Sequence, residues 1–241
     1  MVMFIKGIIR MEQKILKIVD IIDSNPILFE IFKSCPLEIL YDCNLKEYPA
    51  GAVIWNQGEI IDNFNIIVNG FADIYLSKEN GNKYYIGTHQ SGAFIGEIEI
   101  FEKKPSVCTV EAYTAVTVLK IKQDSFLKWL SQDGNIKSQV IKVLSGEFYD
   151  YSLKAGNDIL YPLKVRICSY LLSRSKQLST KTADIVVKVN KAKLSEELAV
   201  TPRSIHRVLH NLQSKDIIEV KTDAIIIKDL NKLASEEENQ R

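Results

Sequence analysis

Between Asn190 and Leu212 the chain reads NKAKLSEELAVTPRSIHRVLHNL, and its side chains sort by type at helical spacing. Ile205, Val208, Leu209 and Leu212 recur at i, i+3, i+4 and i+7, which makes one apolar stripe. Arg203, Ser204, His206, Arg207, His210 and Asn211 are left to face outward. A helix fits the DNA major groove, where Arg pairs bidentately with guanine O6 and N7. The first two turns of such a helix reach base edges, so Arg203, Ser204, His206 and Arg207 are the expected base readers. The imidazole of His210 could hydrogen-bond a base or be solvated. Upstream, Leu194 and Leu198 mark a shorter helix that Asn190 can cap. "AVT" is then a tight turn, Thr201 a cap, and Pro202 the first residue of the second helix. Asn190, Lys191, Lys193 and Thr201, with Lys221 in the following strand pair, are expected to position phosphates. A solvated basic face is the plainer alternative. Spacing, caps and the strands of "IIEVKTDAIIIKD" together favour a winged helix-turn-helix.

Charge supports that placement. The net charge is only +1, but residues 161–232 hold fourteen Lys and Arg against seven Asp and Glu. Residues 1–160 hold sixteen against twenty. A basic C-terminal third on an acidic body suggests a region that meets a polyanion. Other chemistry finds little support. Cys35, Cys43, Cys108 and Cys168 are scattered without metal-ligand spacing and read as buried free thiols of a reducing compartment. No Ser/His/Asp or metal constellation occurs, His89 stands alone in a β-rich region, and neither an enzyme nor a resident cofactor is expected. Lys6 and Arg10 interrupt the first apolar run, which argues against a signal peptide or a membrane span and for a cytoplasmic protein. Met1 and Met11 are alternative starts.

The elements that would position these residues follow from periodicity. Residues 11–47 read as short helices punctuated by Pro26 and Pro36. From Tyr48 glycines separate short β-rich runs, "NIIVNG", "FADIYLS", "KYYIGTH" and "AVTVLKI", with Asn80-Gly81 as a hairpin turn. Many short strands argue for a sandwich, barrel or jelly roll. Asp124–Leu130 reads as a short helix. A long helical pattern then carries Ile136, Val140, Leu144, Phe148, Tyr151, Ala155 and Ile159 on one stripe. A stripe between two domains reads more readily as a dimer seam than as ordinary core. Gly146 and Gly156 each cost such a helix roughly 1 kcal/mol, which speaks against one straight rod. The next helix begins around Pro162, a polar "STKTAD" loop and the strand "IVVKV" lead to the helix pair, and the tail "SEEENQR" reads as frayed.

These motifs, in this order, resemble a Crp/Fnr-type transcription regulator from about residue 28 to 232. "YPAGAVIWNQGEIIDNFNIIVNG", "SGAFIGEIEIF" and "AGNDILYPLKVRICSYLL" carry the likeness. The resemblance implies an α+β chain: an N-terminal jelly-roll β-barrel sensor, a long dimerisation helix and a C-terminal winged helix-turn-helix. The expected boundaries are 1–27 for a helical extension, 28–133 for the sensor, 134–160 for the dimer helix and 161–241 for the DNA-binding domain. It also implies a cytoplasmic homodimer, an activator touching RNA polymerase, on a two-fold double-stranded DNA operator.

In the family's nucleotide binders a Gly-Glu pair meets the ribose, and a Pro-Arg-Ser/Thr-Ala run offers Arg to the cyclic phosphate. Gly96 and Glu97 match the first pair. Pro105-Ser106-Val107-Cys108 replaces the second, with Ser106 at the Arg place and Val107 at the small hydroxyl place. A buried phosphate needs a charge-assisted partner, which Ser cannot supply. Tyr151 and Ser152 fall where the family's dimer helix approaches the base. No cyclic-nucleotide binding is therefore expected, and any small-molecule effector is of another kind. In the reading helix Pro202, Arg203 and Arg207 stand at places where the family often has Arg, Glu and Arg, so the operator should differ.

Overall fold

The computed structural model describes residues 2–77, 83–177 and 185–238. The Asn80-Gly81 turn, the "STKTAD" loop and residues 239–241 lie outside the described residues. The chain divides into two compact units. The first comprises residues 1–77 and 86–148, the second residues 78–85 and 149–241.

The first unit opens with α1 (Val2–Asp23), α2 (Pro26–Phe32) and α3 (Leu37–Asp42). Asn25 caps α2 by accepting the amides of Ile27 and Leu28. Eight strands follow: β1 (Asn44–Tyr48), β2 (Val53–Trp55), β3 (Asn63–Asn69), β4 (Ala72–Ser77), β5 (Lys83–His89), β6 (Phe94–Ile95), β7 (Thr109–Ala112) and β8 (Val116–Lys122). They make two four-stranded sheets, β1-β8-β3-β6 and β2-β7-β4-β5, a jelly roll. Period-2 alternation puts successive side chains of β3 and β8 on opposite faces of their sheet. Phe64, Ile66, Leu119 and Ile121 face one core, shared with Ile18, Leu28, Phe32 and Ile39 of the helices. Ile67, Val116 and Val118 face the other, with Tyr48, Trp55, Ile74 and Val110 between the sheets. Both faces of that sheet are covered, so apolar residues occupy both sets of alternate positions, with Asn65 a buried polar exception.

One turn demands glycine. Gly70 has φ +88, and a Cβ there would lie 2.1 Å from the carbonyl oxygen of Ala115. Two further helices close the unit, α4 (Glu97–Glu102) and α5 (Gln123–Gln132). The Phe126 ring of α5 stacks on Phe64 with centroids 3.7 Å apart. Then α6 runs from Gly134 to Leu160 as one helix, through both Gly146 and Gly156. Neither glycine meets any atom within 4 Å of a built Cβ, so the helix bears only their intrinsic propensity cost and is not interrupted. Ile136 and Val140 differ from expectation. Both are buried in the first unit's own core, and Leu144 packs against it. The start of the apolar stripe is taken up inside the chain and cannot form a seam with a second copy.

The second unit holds the later part of α6, α7 (Leu163–Gln177), β9 (Ile185–Lys188), α8 (Lys191–Glu197), α9 (Pro202–Ser214), β10 (Ile218–Val220), β11 (Ala224–Ile227) and α10 (Leu230–Glu238). Its three strands pair antiparallel in the order β10-β11-β9. Ile167, Leu171, Val187, Leu194, Leu209, Leu212, Ile218 and Ile225 share one core. The tail expected to fray is helical as far as Glu238, because Leu233 is buried and Glu236 pairs with Lys164 and Lys215.

Candidate functional site

In the second unit, α8 and α9 form the expected helix pair. Asn190 Oδ1 accepts from the amides of Ala192 at 3.0 Å and Lys193 at 3.1 Å, two of the orphan donors at the start of α8. Between the helices Ala199 adopts φ +53, and the Val200 amide donates to Ser195 O at 3.0 Å. Thr201 Oγ1 then accepts the Ser204 amide at 3.2 Å, and Pro202 starts α9. Ile205, Leu209 and Leu212 are buried beneath, whereas Arg203, His206, Arg207, His210 and Asn211 are exposed along the helix. Val208 is half-buried against the same core.

Not every expected contact residue stands open. The Ser204 and Thr201 hydroxyls share a hydrogen bond at 3.0 Å, so both are engaged in the cap. Lys191 Nζ donates to Lys221 O at 2.9 Å and ties α8 to the turn between β10 and β11. Lys221 pairs with Glu219. Lys193 Nζ lies 5.2 Å from the centroid of the Tyr85 ring.

Sequence reasoning missed the polar cluster behind this helix pair. Arg166, in the first turn of α7, donates to Asp158 Oδ1 at 2.5 Å and to Leu198 O at 2.7 Å. Lys154 donates to Asp158 Oδ2 at 3.2 Å and to Glu197 O at 3.1 Å. Tyr84 donates its hydroxyl to Asp158 Oδ2 at 2.7 Å, and burial first, then this bond, pushes its pKa up to about 12. Two cations thus meet the last carbonyls of α8, where the helix dipole favours them. The available signal was Arg166 itself, one charge among Val165, Ile167, Cys168 and Leu171, which a buried helix face admits only if paired.

In the first unit, Gly96 has φ +87 and leads directly into α4. A Cβ there would come within 3.1 Å of Asn63 O. Glu97 is 7% exposed, and its Oε2 has no hydrogen-bond partner. Burial, then the nearby Glu147, raises its pKa to about 8. Asn65 Oδ1 is likewise buried and unpartnered. Glu147 also lies 3.5 Å from His89, whose pKa burial lowers. Carboxyl groups thus gather at the place where the family resemblance puts the ribose.

Ser106 is only 4% exposed, and its hydroxyl is fully occupied. It accepts from the Trp55 indole N–H at 3.1 Å and donates to Cys108 O at 2.9 Å. Its main chain pairs with Glu59 O and the Gly58 amide, each at 2.7 Å. Val107 turns outward at 52% exposure, its amide donating to Glu99 Oε1 at 3.2 Å. Trp55 was not singled out by sequence; alternation along β2 points it inward, but its partner lies 51 residues away. Tyr151 is half-buried and Ser152 exposed on the second-unit part of α6. Lys104 pairs with Glu102 at 2.8 Å, and Lys103 sits at φ +54 beside an open cleft of about 320 Å³ that also holds Asp62, Glu99 and Asp124. That cleft carries both signs of charge and excludes Ser106 and Glu97.

On the same helix α6, beyond the buried Ile136 and Val140, large apolar side chains are exposed in the single chain: Ile141, Phe148, Leu153, Ile159 and Leu160. Ala155 is exposed with them. No helix among the described residues is long and apolar enough to cross a membrane.

Comparison with known proteins agrees with this geometry. The family model "Cyclic nucleotide-binding domain" matches residues 45–133, and "Crp-like helix-turn-helix domain" matches residues 165–236. The chain is 23% identical over 191 residues to the cAMP-activated global transcriptional regulator CRP of Salmonella typhimurium, covering 78% of this chain and 91% of that protein. It is 22% identical over 196 residues to the cAMP-activated global transcriptional regulator Vfr of Pseudomonas aeruginosa, covering 79% and 92%. Among solved structures, the c-di-GMP responsive global regulator CLP of Xanthomonas campestris superposes with a TM-score of 0.69 at 17% identity, covering 77% of this chain and 94% of that one.

Proposed function

Because the chain belongs to the Crp/Fnr family of DNA-binding transcription regulators, we propose that it acts as a homodimer whose two α9 helices read a two-fold operator. The half-sites lie about one turn of DNA apart, so that two symmetric helices enter successive major grooves. Arg203, His206 and Arg207 carry the base reading, and Ser204 supports them from the cap. Lys191, Lys193 and Lys221 meet phosphates. The exposed apolar residues of α6 from Ile141 onward, with Tyr151 and Ala155, form the dimer seam. The protein works in the cytoplasm, and RNA polymerase is the partner through which it would act.

One observation carries this reading: a capped helix pinned by Ile205, Leu209 and Leu212 presents two arginines and two histidines on its open side. Arg203→Ala and Arg207→Ala are each expected to weaken operator preference by about 1–3 kcal/mol, the scale of a bidentate base contact. The measurement is binding to a selected operator and to a scrambled fragment at fixed salt. Parent-like preference in both variants would sink the assignment.

The effector, on this reading, is not a cyclic nucleotide. Support comes from Ser106, whose hydroxyl is already shared between Trp55 and Cys108 and which brings no charge to balance a buried phosphate. A second reading, a nucleotide-responsive regulator, is favoured by the unpartnered Glu97 oxygen and the cAMP-activated relatives. Thermal unfolding with cAMP, cGMP and c-di-GMP separates the two, since a ligand that binds only the folded state raises Tm. An unchanged Tm supports the first reading.

A further inference from the structure

We propose that His206 and His210 form a two-imidazole site for a borderline divalent transition-metal ion, such as zinc, nickel or copper(II), on the open face of α9. The residues are four apart, so their side chains lie one above the other on one helix face. Their ring centroids are 6.4 Å apart and their planes 27° from parallel. Both are exposed, and the helix beneath them is fixed by three buried side chains and a capped start. An imidazole nitrogen binds zinc at about 2.0–2.1 Å. From this separation, rotation about the side-chain bonds brings one nitrogen of each ring to a shared ion. A His pair at i and i+4 on a helix is the spacing through which helices hold zinc.

The donor set chooses the ion. Imidazole suits zinc, nickel and copper, whereas magnesium and calcium seek oxygen. No cluster of three or more His, Cys, Asp or Glu side chains is placed to hold a metal among the described residues, so water completes the coordination. Arg203 and Arg207 stand on the same side of the helix and oppose a second positive charge. The site is therefore weak and exchanges with free metal. The cysteines compete poorly. Burial raises the Cys43 thiol to about 12 and those of Cys108 and Cys168 to about 11, and thiolate is the form that binds. An ion held here covers the face proposed to read DNA, so metal and operator exclude each other. That last step rests on the DNA-reading proposal; the metal site itself does not.

The test uses the full chain and its His210→Gln variant, which changes an exposed residue not assigned to base reading. Isothermal titration with Zn²⁺ or Ni²⁺ should give one ion per chain in the parent. Loss of even an outer-shell partner costs a metal site about 10–100-fold, so loss of a ligand should weaken the variant by at least about tenfold. Mg²⁺ should give no binding. Equal isotherms for parent and variant, or no binding in either, overturn the site. In a second arm, the metal should release operator DNA from the parent and not from the variant. Metal bound at His210 with operator binding unchanged upholds the site and overturns the placement of DNA on this face.

Discussion

The carboxyl of Glu97 is buried with one oxygen unpartnered, and its pKa of about 8 stands well above the ordinary 4.5. Between those values the folded chain keeps a proton that the unfolded chain has lost. The contribution of Glu97 to stability is therefore greatest below pH 4.5, falls as pH rises through the window, and levels off above about 8. A tenfold change in an acid constant is worth about 1.4 kcal/mol, so the loss from pH 5 to 8 is on the order of a few kcal/mol. Glu97→Gln should flatten this dependence, measured as urea unfolding free energy at pH 5 and pH 8. Equal slopes in parent and variant would count against the buried, protonated acid. His89 works in the other direction. Its folded pKa lies below 6.5, so its contribution is present above that value and lost as pH falls. Parent and variant both carry His89, so its effect cancels in their difference. Ser106 was legible as a residue out of place. Its partner Trp55 was not, because that contact depends on how β2 meets the chain near β7, which no local pattern records.

At the scale of the element, α6 illustrates how a periodic stripe can be right about helix and incomplete about destination. Apolar residues at spacings of three and four identify the helix, and Gly134–Leu160 forms it. The same spacing does not say which residues meet the chain's own core. Ile136, Val140 and Leu144 do, while Ile141, Phe148 and Ile159 do not. Phe148, 75% exposed in the single chain, is the strongest candidate for the seam. Burying a Phe side chain stabilises by about 1.5–3 kcal/mol, and a two-fold interface counts it twice. Phe148→Glu is expected to weaken dimerisation by at least about 3 kcal/mol, more than about a hundredfold. Analytical ultracentrifugation over a concentration series reads this directly; an unchanged association constant would remove Phe148 from the seam. Among strands, β3, β4, β5 and β8 were readable because each offers six or seven residues rich in β formers. The three residues of β2 and two of β6 are too few to show a period.

For the whole molecule, the two-part plan was legible because each part has a different grammar: glycine-separated strands before Gln123, capped helices and a basic excess after Tyr161. What composition concealed was the polar interior of the second unit. Tyr84, the Lys154–Asp158 pair of α6 and Arg166 come from three separate segments, and only folding assembles them. The indole of Trp55 has a further use. The chain contains two tryptophans, both in the first unit. Trp129 is fully buried with its N–H on Asp133 at 2.8 Å, while Trp55 is 7% exposed and hydrogen-bonded to Ser106. Tryptophan fluorescence is thus a spectroscopic window on the first unit alone, with Trp129 as a constant background. A small molecule that displaces the indole from Ser106 should move the emission maximum, and Trp55→Phe should abolish that response. The protein carries its own dye for detecting a ligand of its first unit.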